Sequence, residues 1–222
     1  MNVLLAARAA KCEKILVAST SEVYGTLHHP PMKEDHPLNA RSPYAASKIA
    51  AEKIAQSFFH SFGIPVVIVR PFNTYGPRQS QRAIIPTVIS QLLSGKETIQ
   101  VGSIEPTRDF VFVDDTVRGY IELAKTEKSL GQEVNIATGC ETSIAAVCDR
   151  LIAKINPKAK VVKDHQRVRP VTSEVDRLVG DNQRLFQLTG WRPEISLEQG
   201  LDHTIAWFRE SVPPEKVDRY HI

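Results

Sequence analysis

An uninterrupted apolar run at residues 64–69 restricts the fold of this chain more than any other feature of its sequence. Strands made only of apolar residues belong to parallel sheets, because helices cover both faces of such a sheet. The run follows a predicted helix that begins at Ser42 and Pro43, a hydroxyl N-cap before a proline, and ends at Gly63. A shorter apolar run at residues 15–18 precedes that helix. Two strands joined by a helix form a right-handed βαβ unit, so the sequence predicts an α/β fold.

The rest of the chain is predicted to add helices on both faces of the parallel sheet and a smaller α+β lobe. Periodicity and caps predict helices at 2–11, 84–93, 114–125 (capped by Asp114 or Asp115), 143–155, 182–188 and 197–210, and a strand at 134–137. After Gly139 short helices flank a basic extended stretch at residues 160–169. We therefore predict a sheet domain at residues 1–139, in which residues 77–113 contribute to the substrate site, and a substrate lobe with a C-terminal tail at residues 140–222.

Composition and charge exclude several classes of protein. The 222 residues carry a formal net charge of +3, with 42% hydrophobic and 24% charged residues, which is typical of a globular chain. The sequence has no run of basic residues and no apolar segment of the roughly 18 residues that span a bilayer, so we expect neither nucleic-acid binding nor a membrane role. Scattered cysteines predict a reduced, cytoplasmic setting, and the histidines lack ligand spacing, so no metal site is expected.

Four polar residues in the first quarter of the chain predict chemistry. Tyr44 and Lys48 are four residues apart, which places both side chains on one face of the predicted helix. A lysine ammonium beside a phenol favours the phenolate, which can act as a general base. Thr20 and Glu22 follow the apolar run at residues 15–18, and open α/β sheets place their chemistry where strands end. The combination predicts an enzyme.

Four motifs occur in order along the chain and carry a resemblance to a known family. They are Thr-Ser-Glu-Val-Tyr-Gly from Thr20, Tyr-x-x-x-Lys from Tyr44, Arg-Pro-Phe-Asn-Thr-Tyr-Gly-Pro-Arg from Arg70 and Arg-Asp-Phe-Val-Phe-Val-Asp-Asp from Arg108. The chain, to about Phe208, resembles the extended short-chain dehydrogenases/reductases, specifically their nucleotide-sugar epimerases, dehydratases and decarboxylases. The resemblance implies a partial Rossmann-type sheet, NAD as the cofactor, a nucleotide sugar as the substrate and a homodimer.

The resemblance also implies roles for the residues around Tyr44. Tyr44 removes the proton of the sugar C4 hydroxyl while NAD takes a hydride from C4. Lys48 supports Tyr44 and bonds the nicotinamide ribose, and Ser19 belongs to the cofactor-binding set. Thr20 hydrogen-bonds the C4 oxygen. A threonine that only satisfies backbone groups at a strand end is the structural alternative for Thr20.

Glu22 is the residue that selects the reaction. Once C4 is a ketone the C5 proton is acidic, and a carboxylate can remove it. Loss of water from C6 and return of the hydride to C6 then complete a 4,6-dehydration. Ser21 is a weak proton donor alone, so a water or Glu22 itself serves as the acid. The Ser21-Glu22 pair resembles the GDP-mannose dehydratases and some dehydratases that act on UDP-N-acetylglucosamine, and we expect a UDP-linked N-acetylhexosamine as the substrate. A UDP-glucuronate decarboxylase or a nucleotide-sugar 4-epimerase is the alternative for the reaction, and a solvent-facing glutamate is the alternative for Glu22.

Substrate binding is assigned by resemblance to one asparagine and three arginines. Asn73 matches the residue that contacts the glycosyl phosphate. Arg82, Arg108 and Arg169 match positions that clamp the diphosphate, for which the planar guanidinium fork is well suited. A solvated surface position is the alternative for each arginine.

The helix that carries Tyr44 has an apolar stripe on its far side. The stripe consists of Ile49, Ile54, Phe58 and Phe59. In the family this helix and the preceding one form a four-helix dimer interface. From the sequence alone, a stripe of this kind is equally explained by burial in the core.

A Gly-x-x-Gly-x-x-Gly turn seats the cofactor pyrophosphate in the family. The eleven glycines of this sequence never fall at that spacing. We therefore expect the chain to correspond to the C-terminal two-thirds of such an enzyme. A non-catalytic fragment that binds a sugar nucleotide or a partner subunit is the second hypothesis.

Overall fold

The computed structural model describes residues 1–27, 29–168 and 170–211. The helices are α1 (Asn2–Ala9), α2 (Pro43–Phe62), α3 (Ile84–Leu93), α4 (Val113–Lys125), α5 (Ile144–Ile155), α6 (Gln183–Thr189) and α7 (Leu197–Ser211). The strands are β1 (Ile15–Ala18), β2 (Val66–Pro71), β3 (Asn73–Tyr75), β4 (Thr98–Val101), β5 (Thr107–Arg108), β6 (Phe110–Phe112), β7 (Glu133–Ile136), β8 (Thr142–Ser143) and β9 (Lys160–Lys163). No helix in these ranges is long and apolar enough to cross a membrane.

The predicted βαβ unit is confirmed by a parallel sheet in the order β1-β2-β7. Helix α2 begins and ends where the sequence predicts, with the Ser42 hydroxyl accepting from the Ala45 amide at 3.1 Å and Gly63 in the left-handed conformation. Strand β2 begins two residues later than expected, at Val66. Pro65 has no N–H to give to the sheet, so regular pairing starts beyond it.

Helices cover both faces of this sheet, as predicted. Side chains alternate along β2, so that Val66 and Ile68 pack with Leu4 of α1 and Phe58 of α2. On the opposite face, Val67 and Val69 pack with Leu123 of α4 and Leu185 of α6. Both faces therefore lose water, which explains the apolar run in the sequence.

The predicted cap of α4 is wrong. The helix begins at Val113 with Phe112 in the N-cap position, one residue before Asp114. Asp115 instead turns its buried carboxylate to the backbone N–H groups of Glu194 and Ile195, at 3.1 and 3.0 Å. Asp115 therefore fixes the chain segment that leads into α7.

Other predicted helices and strands differ from the structure by one or two residues, and the extended stretch differs by more. Helix α1 ends at Ala9 rather than residue 11, since Lys11 has a φ of +52°. Strand β7 lies one residue earlier than residues 134–137. Of the basic stretch at 160–169, only Lys160–Lys163 forms a strand. Arg169 and the tail at residues 212–222 lie outside the described residues.

A second hydrophobic core lies between α3, α5 and α7. Val88 of α3, Leu151 of α5 and Leu201 of α7 belong to this core, together with Ile99 of β4. Strand β4 pairs in parallel with β9. The chain on both sides of residue 139 therefore contributes to one core, and the predicted domain boundary at that residue stays a prediction.

Candidate active site

The end of β1 places Thr20 and Glu22 at the carboxyl edge of the parallel sheet. The chain leaves the strand into a 3-10 helix at Ser21–Tyr24, and the Thr20 hydroxyl accepts the Glu22 N–H at 3.3 Å. Gly25, at a φ of +68°, ends this turn. The Thr20 oxygen thus makes the backbone contact expected of a strand-end threonine, and its O–H stays available as a donor.

Tyr44 and Lys48 lie in the first turns of α2, beside the end of β1. The Lys48 Nζ donates to the Ala18 carbonyl at 2.9 Å and lies 5.8 Å from the centroid of the Tyr44 ring. Tyr44 is 50% exposed. The predicted base and its lysine are therefore neighbours, and the lysine ties them to the strand that carries Thr20.

Tyr120 is a second tyrosine, and it lies close enough to Tyr44 for the charge of Tyr44 to affect its pKa. Burial, and to a smaller extent the charge of Tyr44, raises the pKa of Tyr120 to about 12. Tyr120 therefore stays protonated at neutral pH.

A cleft of about 410 Å³ opens next to this edge and contains most of the predicted substrate residues. Glu22, Asn73, Arg82 and Arg108 all line it. In the described part of the chain, Thr20, Tyr44 and Lys48 do not line the cleft. Glu22 is thus the member of the predicted catalytic group that faces the predicted substrate residues.

Two amide side chains on the cleft wall have oxygens without a partner. Asn73 Oδ1 and Gln79 Oε1 are buried and accept no hydrogen bond from any described residue. Gln79 keeps its orientation through its Nε2, which donates to the Thr74 carbonyl at 2.8 Å. Buried polar atoms are nearly always paired, so two orphaned amides on one wall mark where polar groups of a ligand bind.

Positive charge is concentrated on the same cleft. Arg108 donates to the carbonyls of Thr107 and Val175 at 2.8 and 2.7 Å, and approaches Glu174 at 3.4 Å. Arg82 and Arg167 also line the cleft. Guanidinium groups around one cavity suit a diphosphate, which offers several anionic oxygens at once. Arg169, the fourth predicted substrate residue, lies outside the described residues.

Ser19 and Ser21 do not join this group. Ser19 is 5% exposed and its hydroxyl donates to the Glu52 carboxylate. Ser21 is 3% exposed. Of the Ser21-Glu22 pair, only the glutamate reaches the cleft, so a water or Glu22 itself is left as the proton donor.

The sequence analysis missed Gln79, Arg167 and Glu174 as cleft residues. Arg167 belongs to the basic stretch, and a basic residue in such a stretch is usually solvated. Gln79 lies in a segment with the composition of an ordinary turn. Glu174 is placed at the site by long-range contacts, since Arg108 donates to the carbonyl of Val175 and approaches the Glu174 carboxylate. No local signal in the sequence distinguishes these positions.

The fold and the arrangement of the site define a short-chain dehydrogenase/reductase of the nucleotide-sugar dehydratase and epimerase class. A family model described as GDP-mannose 4,6 dehydratase matches residues 1–204. The chain therefore belongs to the GDP-mannose 4,6-dehydratase family.

Curated and solved relatives agree with this assignment. A dTDP-D-glucose 4,6-dehydratase from Homo sapiens is 35% identical over 211 residues, which are 93% of this chain and 59% of the relative. The structure of TunA, an NAD-dependent NDP-hexosamine 5,6-dehydratase, has a TM-score of 0.87 and 32% identity over 96% of this chain and 68% of that one. A UDP-glucuronic acid 4-epimerase from Bacillus cereus, in complex with UDP-glucuronic acid and NAD, has a TM-score of 0.85 and 28% identity, over 94% and 65% of the two chains. This chain spans about three fifths of the length of the human relative.

Proposed function

We propose that this chain carries the catalytic and substrate-binding parts of an NAD-dependent nucleotide-sugar 4,6-dehydratase. The observation that carries the proposal is the position of Glu22, whose carboxylate lines the same cleft as Asn73, Arg82 and Arg108. A base in the sugar cleft is what removal of the C5 proton requires, and a 4-epimerase has no such step.

The residues present fit one end of the cofactor. Tyr44, exposed, and Lys48, half-buried beside β1, would hold the nicotinamide ribose. The glycine-rich turn that would seat the pyrophosphate is absent from these 222 residues. When bound, NAD supplies reversible two-electron oxidation at C4 of the sugar.

The side chains of the chain itself move the protons. Tyr44 takes the proton of the C4 hydroxyl, and Thr20 donates a hydrogen bond to the C4 oxygen. Glu22 takes the proton from C5, which the neighbouring C4 ketone has made acidic, and then protonates the C6 hydroxyl as it leaves. Because Ser21 is buried, Glu22 itself serves as the acid in that step. C5 regains a proton when the hydride returns to C6, which balances the proton that Tyr44 removed, so the net loss is one water.

The substrate that fits best is a UDP-linked N-acetylhexosamine. Arg82, Arg108 and Arg167 offer guanidinium groups for the diphosphate, and the unpaired amide oxygens of Asn73 and Gln79 can accept hydrogen bonds from the hydroxyl and N-acetyl N–H groups of the sugar. The likeness to TunA, a hexosamine nucleotide enzyme by its description, supports an amino sugar.

The reaction product tests the proposal. The chain is incubated with NAD and UDP-N-acetylglucosamine, and the product is identified by NMR. A 6-deoxy-4-keto sugar supports 4,6-dehydration. A sugar with a 5,6 double bond, which is the position that the description of TunA as a 5,6-dehydratase names, would keep the role of Glu22 as the C5 base but would contradict return of the hydride to C6.

A nucleotide-sugar 4-epimerase is the second candidate, because the Bacillus cereus epimerase shares the fold closely. A C4-inverted product overturns the dehydratase proposal in its favour, and a pentose from UDP-glucuronate would indicate a decarboxylase. Binding of UDP without any turnover would indicate a sugar-nucleotide-binding fragment.

We also propose a homodimer held through α1 and α2. Three members of the predicted stripe are core residues, since Ile49, Phe58 and Phe59 pack against the sheet. Ile54 is 38% exposed, and α1 and α2 carry three further exposed apolar side chains, Val3, Leu5 and Phe62. A second copy of this chain would cover them.

Changing Ile54→Lys is expected to convert the dimer to a monomer, because a lysine at the centre of an apolar interface loses its hydration. Sedimentation velocity measures the mass. Ile121→Lys is the matched control, since Ile121 is similarly exposed but lies on α4. Equal masses for Ile54→Lys and the unaltered dimer contradict this interface.

For the cellular setting we propose the cytoplasm. Cys12, Cys140 and Cys148 are all free thiols, which is the usual state of cysteines in a reducing compartment.

A further inference from the structure

A buried ion pair joins α2 to β2 next to the site. Glu52 is 0% and Arg70 is 2% exposed. Arg70 Nε and Nη2 donate to the two carboxylate oxygens of Glu52 at 2.9 and 2.7 Å. A pair of this kind gives little stability beyond that of well-packed apolar residues, because the desolvation of two charges offsets their attraction. Stability alone therefore does not explain it.

The same pair holds both ends of the segment at residues 19–24. At one end, the Ser19 hydroxyl donates to Oε1 of Glu52. At the other end, Arg70 Nη1 donates to the Tyr24 hydroxyl at 3.0 Å. The short turn that carries the predicted catalytic threonine and glutamate is thus anchored twice to one ion pair.

Glu52 also lies in line with the catalytic residues of α2. Tyr44, Lys48 and Glu52 are spaced four residues apart, so they follow one another along one face of the helix. Lys48 reaches the Ala18 carbonyl, and Glu52 reaches Ser19, the next residue of the chain. The helix is therefore fixed against the end of β1 at two successive turns.

We propose that the Glu52–Arg70 pair is a positioning device, which fixes residues 20–22 relative to Tyr44. The pair acts through those residues and touches no substrate. This inference rests on the dehydratase function proposed above. Proton transfers between aligned groups depend steeply on their separation, and a misplacement of about 1 Å can cost roughly 10²-fold in rate.

The first test separates alignment from folding. Glu52→Gln keeps the shape of the side chain but removes its charge, and Leu151→Ala opens a cavity in the other core, where Leu151 is fully buried. We expect Glu52→Gln to lower kcat for UDP-N-acetylglucosamine by up to about 10²-fold with KM unchanged, because the arginines of the cleft remain in place. Leu151→Ala should lower the unfolding midpoint with kcat retained. Equal losses of kcat in both variants overturn the proposal.

A double variant makes the test independent of stability. In Glu52→Leu/Arg70→Met the buried charges are replaced by apolar groups of similar volume, so the unfolding midpoint is expected to return toward that of the unaltered protein. Turnover is expected to stay low, because Ser19 and Tyr24 have lost their hydrogen bonds to the pair, although the Tyr24 hydroxyl keeps its bond to Asn135. Full turnover by the double variant would show that the pair only fills the core.

Amide hydrogen exchange tests the positioning role of the ion pair without any turnover. If the chain turns over no nucleotide sugar, the proposed function fails, and the exchange measurement still tests the positioning role. Glu52→Gln is expected to accelerate exchange at residues 19–25 and in the first turns of α2, while α5 and α7 keep their protection. Acceleration spread evenly over the chain, or none at residues 19–25, overturns the positioning role.

Discussion

Replacing Glu22 with glutamine is expected to stop the loss of water from the sugar while C4 oxidation continues. Glutamine has almost the same shape but cannot accept the C5 proton, and Ser21, the neighbouring hydroxyl, is buried. General acid–base catalysis by a positioned side chain is worth about 10²–10⁴-fold, so dehydration should fall by that factor. Tyr44 and Lys48 lie on α2, and their contacts with each other and with Ala18 do not involve Glu22. The substitution should therefore leave C4 oxidation intact.

Two measurements separate the steps in Glu22→Gln. Incorporation of deuterium from D2O at C5 reports proton removal and is expected to disappear, whereas the absorbance of reduced nicotinamide, which reports C4 oxidation, is expected to persist. Tyr44→Phe should lose both signals. Glu174→Gln is the matched control in the same cleft and is expected to change substrate affinity, since Glu174 pairs with Arg108. Deuterium incorporation by Glu22→Gln at the unaltered rate would refute the role of this carboxylate.

Local signals in the sequence predict the elements around Tyr44 well. The Ser42 cap, the proline after it and Gly63 act on the backbone of neighbouring residues, so the bounds of α2 can be predicted without knowledge of the fold. The run at residues 64–69 likewise indicates burial on both faces, and only the missing N–H of Pro65 moved the start of β2.

Contacts between distant segments could not be predicted in the same way. Strand β4 pairs with β9 from the other side of the predicted boundary, and no periodicity in either strand names its partner. Asp115 has the position of a helix cap in the sequence, but its carboxylate binds the segment before α7. Ser19 was assigned to the cofactor by its motif, whereas its hydroxyl is directed to Glu52. A motif identifies a residue type, and packing decides the direction of its side chain.

Asp109 is the clearest case of a motif residue whose role appears only in three dimensions. Its carboxylate is 0% exposed. It accepts from the Thr138 N–H and hydroxyl at 2.9 and 2.6 Å, from the Gly139 N–H at 2.9 Å and from the Gly180 N–H at 3.2 Å. Burial raises the pKa of Asp109, and these donors oppose the rise. One side chain thus joins β6 to the segment after β7 and to the approach to α6.

Changing Asp109→Ala is therefore expected to destabilise the chain severely. The substitution leaves the N–H groups of Thr138, Gly139 and Gly180 without their acceptor. Each N–H group that stays buried without a partner lowers the free energy of unfolding by about 1–3 kcal/mol. Gly180 is buried, whereas Thr138 is half-buried and Gly139 is exposed, so the loss at Gly180 sets the scale against the roughly 5–15 kcal/mol that stabilises a typical domain. Urea unfolding followed by circular dichroism measures the change in the free energy of unfolding. Asp114→Ala is the control, because Asp114 is exposed in the first turn of α4 and its favourable interaction with the helix dipole is worth only about 0.3–1 kcal/mol. If the two variants unfold at the same urea concentration, the Asp109 contacts do not hold these segments together.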